Sequence, residues 1–92
     1  MHVNFEKAIK TLIERWNEMT DGRKPIFARI IAYWPKDYDA LYIACINCNE
    51  LDMHDEKAFS NFNEAAKWLA SKITSMIETE FYERQEENKE NA

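Results

Sequence analysis

Ile26-Phe27-Ala28-Arg29-Ile30-Ile31-Ala32-Tyr33-Trp34, then Pro35-Lys36-Asp37-Tyr38-Asp39, then Ala40-Leu41-Tyr42-Ile43-Ala44-Cys45-Ile46-Asn47 is the stretch that decides the fold. Its two flanking runs are rich in β-branched and aromatic residues, which suit a pleated, half-buried surface. The link between them has turn chemistry, so the economical reading is an antiparallel hairpin with a five-residue loop. Alternation along the first strand sends Phe27, Arg29, Ile31 and Tyr33 to one face and Ile26, Ala28, Ile30, Ala32 and Trp34 to the other. Arg29 marks its own face as the wetter one. In the second strand Leu41, Ile43 and Cys45 alternate with Tyr42, Ala44 and Ile46, and both sets are apolar enough to leave its outward face open.

The hairpin needs a cover, and the segments on either side supply one. Before it, Phe5, Ala8, Ile9, Leu12, Ile13, Trp16 and Met19 recur at spacings of three and four, an apolar stripe along a helix. Asn4 is placed to cap that helix, and Asp21-Gly22 to end it with Gly22 in the left-handed conformation. After Cys48 the chain is polar through Asn49-Glu50-Leu51-Asp52-Met53-His54-Asp55-Glu56, read as a loop, and Lys57-Ala58-Phe59-Ser60 offers a short third strand. Asn61 and Glu64 form a capping-box pattern ahead of a second stripe of Phe62, Ala65, Ala66, Leu69, Ile73, Met76, Ile77 and Phe81.

The expected fold is therefore α+β, in the order α-β-β-(β)-α. Two amphipathic helices cover one face of a small antiparallel sheet of two or three strands in a two-layer sandwich. The opposite face is expected to be open, carrying Arg29, Tyr33 and Tyr42. Residues 1–84 read as one domain and residues 85–92 as an acidic tail that frays for want of an apolar anchor.

Composition supports this class. The chain is 92 residues long, 46% hydrophobic and 13% aromatic, enough for a core without staples. Its net charge of −5 argues against general nucleic-acid binding. No export signal and no membrane-length apolar run is read in it, and two cysteines then fit free thiols in a reducing cytoplasm.

Charge is sorted along the chain. Residues 5–36 hold seven cations against four acids, a net of +3, whereas residues 37–56 hold six acids and no Lys or Arg. Such blocks select partners and speed encounter. The acids Asp37, Asp39, Glu50, Asp52, Asp55 and Glu56 are the candidate contacts for a Lys/Arg-rich partner, against the plainer reading of a solvated loop. Arg23, Lys24, Arg29 and Lys36, interleaved with Tyr33, Trp34 and Tyr42, are the candidate contacts for RNA, against the plainer reading that these aromatics are packing residues.

Catalytic and metal chemistry have weaker footing. Cys45-x-x-Cys48 followed by His54 has the look of half a zinc site, but two unrelated thiols are the simpler reading. Asp52, Asp55 and Glu56 lack the glycine and ligand alternation of an EF-hand. His2 and His54 belong to no hydrolytic motif. No catalytic residue, cofactor, metal, small-molecule substrate or membrane contact is expected, and the protein reads as a non-enzyme.

Lys57-Ala58-Phe59-Ser60-Asn61-Phe62-Asn63-Glu64-Ala65-Ala66-Lys67-Trp68-Leu69 resembles the strand-to-helix junction of some phage anti-CRISPR proteins, and the whole chain looks like a type I-F anti-CRISPR protein. The resemblance implies an inhibitor acting in the host bacterial cytoplasm. It would bind the type I-F (Csy) surveillance complex, at its backbone Cas subunits or its guide RNA, and stop the guide from pairing with target DNA. No site residue is transferred from the family. The alternatives are a small nucleic-acid-binding module using the Arg29 face, or an interaction subunit of another phage or bacterial assembly.

Overall fold

A computed structural model describes residues 4–90, with side chains to residue 87. The element order is α1 (Phe5–Thr20), β1 (Phe27–Tyr33), β2 (Leu41–Cys48), a 3-10 turn (Asn49–Leu51), β3 (Met53–Phe59) and α2 (Phe62–Glu90). The class is α+β, as the sequence implies.

Helix α1 starts where Asn4 Oδ1 accepts the Lys7 backbone N–H at 3.1 Å. It ends in a left-handed turn that already begins at Asp21 (φ 54°) and continues through Gly22 (φ 67°). Asp tolerates this conformation better than most residues with a Cβ. The Gly22 N–H then closes onto the Asn17 carbonyl at 2.9 Å.

The sheet is antiparallel with strand order β1-β2-β3. Tyr33 pairs with Leu41 at the hairpin end, and Phe27, Asn47 and His54 form one row at the other. The third strand starts at Met53, four residues before Lys57, where a loop was expected. The reason is the tight turn before it. Asp52 takes a left-handed conformation (φ 50°) and donates its N–H to the Asn49 carbonyl at 3.0 Å, so the chain reverses within four residues. Met53, His54, Asp55 and Glu56 then pair with Cys48, Asn47, Ile46 and Cys45. Pairing with a buried central strand outweighs the weak strand preference of these polar residues.

Both helices lie on one face of the sheet. Trp16, Ala44, Ile46, Cys48, Ala65, Leu69, Ile73 and Met76 form the buried centre, with Ile26, Ala28, Ile30, Tyr42, Met53 and Phe59 packed against it. The Trp16 indole N–H donates to the Lys24 carbonyl at 2.6 Å, which ties α1 to the segment entering β1. Tyr42, expected on the open face, lies on the helix face, because its partner Ala32 belongs to the inward set of β1. There its ring meets Phe62 edge-on, with centroids 6.0 Å apart.

Helix α2 is capped by Asn61, whose Oδ1 accepts the N–H groups of Asn63 (2.8 Å) and Glu64 (3.3 Å). The Glu64 carboxylate does not complete a capping box; it faces Lys67 at 3.8 Å. The helix runs on to Glu90, where fraying was expected from residue 85, and residues 91 and 92 lie outside the described ones. Glu, Gln and Lys are good helix formers, so the segment extends the helix although the side chains of Gln85, Glu86 and Glu87 are exposed. Phe81 stays about half exposed against Tyr82 instead of joining the stripe. Glu80 occupies the buried side of that turn.

Candidate functional site

Among the described residues no helix covers the sheet's second face. Its rows follow from the strand registers: Phe27, Asn47 and His54; Arg29, Cys45 and Glu56; Ile31, Ile43 and Ala58; Tyr33 and Leu41. Phe27 (59%), Ile31 (43%) and Tyr33 (54%) are strongly exposed on it, and Trp34, just past the end of β1, is also exposed. Isolated exposed apolar residues are ordinary, but an adjoining set on one sheet face makes that face the candidate interaction surface. Arg29 stands within this apolar surface. A groove of about 550 Å³ lies at the β1 edge at its far end, lined by Phe27, Arg29, Cys45, Asn47 and His54 of the open face and by Ile13, Ile26 and Ala28 of the helix side.

The acidic block, contiguous in sequence, is divided by the fold. Asp37 and Asp39 are exposed in the β1–β2 loop. Glu50 and Asp52 are exposed in the turn at the other end of β2, roughly 20 Å away at the usual strand rise. Asp55 points to the helix face and forms an ion pair with Lys72 of α2. That bond holds the Asp55 carboxyl below its ordinary pKa; partial burial opposes the effect, and the Glu56 N–H at 2.9 Å adds to it. Glu56 alone of the six lies in the middle of the open face.

The basic set is divided as well. Lys24 Nζ reaches the buried Glu80 carboxylate at 3.1 Å, and Arg84 Nε lies 3.6 Å from the same group, so Lys24 holds the fold together. Arg23 is exposed beside Asp21, 3.9 Å away. Lys36 sits in the β1–β2 loop next to Asp37. Arg29 is the member of the set within the open face, as its strand alternation predicted.

The two cysteines are separated by the sheet itself. Three residues apart on a strand point to opposite faces, so Cys48 is buried among the core residues and Cys45 belongs to the open face. The zinc half-site read from their spacing does not form. Cys45 instead meets two residues of β3: its Sγ lies 4.0 Å from Glu56 Oε2, and His54 Nε2 lies 3.8 Å from the same oxygen. Spacing along the chain does not reveal this cluster, because the polar run holding His54 and Glu56 has the composition of a loop. As a strand, it places both residues on one face beside Cys45. His2 lies outside the described residues.

Among the described residues no helix is long and apolar enough to cross a membrane. The chain matches no protein-family model, no curated protein and no solved structure.

Proposed function

We propose that this protein acts by binding rather than by catalysis. The open sheet face docks on a preassembled protein–RNA complex, and the complex implied by the whole chain's resemblance to type I-F anti-CRISPR proteins is the type I-F surveillance complex. The bound protein would occupy the path of target DNA and so prevent its pairing with the guide. The observation that carries the reading is the uncovered face itself, where Phe27, Ile31 and Tyr33 stand exposed around Arg29.

Two physical arguments support the choice of partner. A complex that holds nucleic acid lines its channel with Lys and Arg, and this chain carries a net charge of −5 with exposed acids at both ends of the sheet. Complementary charge steers encounter, while desolvation of the apolar face supplies affinity. The cation on that face gives it a contact for a phosphate of the guide.

Ile31→Glu and Tyr33→Asp test the docking face, since both side chains point away from the core. Each variant should retain the wild-type circular dichroism and melting temperature. Each should weaken capture of a purified type I-F surveillance complex by tenfold or more, the loss of about 1.4 kcal/mol expected at an interface hot spot. Capture of target DNA by the complex should recover in parallel. Wild-type protein that leaves DNA capture intact would defeat the reading. Tight binding to naked RNA at physiological salt would instead support the nucleic-acid-binding alternative.

A further inference from the structure

The Cys45, His54 and Glu56 cluster belongs to none of the packing or charge roles described above, and its donor atoms converge. The Cys45 thiol, a His54 ring nitrogen and a Glu56 carboxylate oxygen all lie within 4.8 Å of one another. We infer that these residues form a three-ligand site for a zinc ion on the open sheet face.

The backbone explains the convergence. Cys45 and Glu56 are direct partners across the β2–β3 ladder, and His54 is two residues from Glu56 on the same strand. Cross-strand partners and residues two apart on one face are the near neighbours of a sheet. The central position of β2, paired on both sides, fixes the thiol. His54 and Glu56 approach it with side chains 62% and 54% exposed, free to adjust.

The donor chemistry selects the ion. A thiolate, an imidazole and a carboxylate are together suited to zinc, whereas calcium and magnesium need a shell of oxygens. Around a tetrahedral zinc with bonds of about 2.0–2.3 Å, ligand atoms stand about 3.3–3.6 Å apart. The Glu56 oxygen is already 4.0 Å from sulfur and 3.8 Å from the imidazole nitrogen, so small rotations of the two exposed side chains close the shell. On binding, the S–H bond of Cys45 breaks, its proton passes to solvent, and the sulfur lone pair forms the bond to zinc. No change of oxidation state is involved. Water takes the fourth position. Arg29, the β1 partner of Cys45 on the same face, is the neighbouring cation whose repulsion the site must offset.

The site shares the open face with the proposed docking surface, but its test uses the metal alone and needs no partner. Protein freed of metal by chelation is titrated with Zn²⁺ in equilibrium dialysis. It is titrated separately with Co²⁺, whose tetrahedral thiolate complexes show ligand-field and sulfur-to-metal charge-transfer bands. One ion per chain is expected, with a rise in melting temperature. Cys45→Ser should abolish the charge-transfer band, and His54→Ala and Glu56→Gln should each weaken binding by about tenfold or more. Cys48→Ser, on the opposite face, should leave both readouts unchanged. The exposed His54 and Glu56 positions keep the test valid if Cys45→Ser impairs folding. Substoichiometric zinc, absence of the sulfur band, one ion shared between two chains, or equal sensitivity to Cys48→Ser would each overturn the assignment.

Discussion

At the residue scale, two of the charges chosen for a partner are already engaged inside the molecule. Glu80 is 8% exposed and rests on Lys24 and Arg84. Lys24→Ala leaves that carboxylate short of its closest cation, and the expected loss is about 1–3 kcal/mol of stability, read as a lower denaturant midpoint. Lys24→Glu should be worse, because it sets two carboxylates together. Asp55 behaves in the same way toward Lys72. Its folded pKa is depressed chiefly by the Lys72 bond, so the stabilisation is present above the unfolded value of about 3.9 and is lost as pH falls through the folded one. Asp55→Asn should therefore remove part of the wild-type fall in melting temperature below about pH 4, with little difference between the two slopes near neutrality. Charge reversals aimed at a partner should exclude both Lys24 and Asp55.

At the element scale, the helices differ in how much of each stripe reaches the core. Ile73 of α2 is fully buried, whereas Leu12 of α1 is half-buried against the same cluster. Ile73→Ala should cost about 2–5 kcal/mol and Leu12→Ala less, compared by chemical denaturation. Asn61 accepts two first-turn amides of α2, and Asn61→Ala should cost about 1 kcal/mol. The far end of α2 is another matter. Every side chain from Phe81 to residue 87 is exposed, and Glu83, Glu86 and Glu87 lie toward the end of the helix where the macrodipole favours cations. Truncation after Gln85 should leave the melting temperature nearly unchanged, since the described side chains beyond it, Glu86 and Glu87, are exposed.

At the scale of the whole molecule, the sheet has one face committed to the core and one to its surroundings. The blocks of charge distinct along the chain become mixed in space. Arg23 lies at the same end of the sheet as Glu50 and Asp52, while Lys36 shares the other end with Asp37 and Asp39. Reversing Asp37, Asp39 and Glu50 to Lys should slow association with a surveillance complex while sparing the fold, because all three are exposed in the connections between strands and none, unlike Asp52, holds a left-handed turn. The deficit should shrink as salt rises, since exposed charges act over about 8 Å at physiological ionic strength. Stopped-flow association at two salt concentrations checks this. An unchanged association rate would assign binding to the apolar face alone.

What the sequence determined by itself was whatever depends on local periodicity. The two helices, the hairpin strands, the caps at Asn4 and Asn61 and the outward position of Arg29 were all legible, because period and capping chemistry act between near neighbours. Tertiary structure decided the rest. The polar run at Met53-His54-Asp55-Glu56 became a strand because β2 offered it a ladder, a long-range term that no local preference contains. Tyr42 went inward because the register of β1 on β2, rather than its own polarity, assigns its face. The same pairing parted Cys45 from Cys48 and delivered Cys45 to His54 and Glu56. A strand sends residues three apart to opposite faces, while hydrogen bonding between strands brings residues distant in sequence onto one.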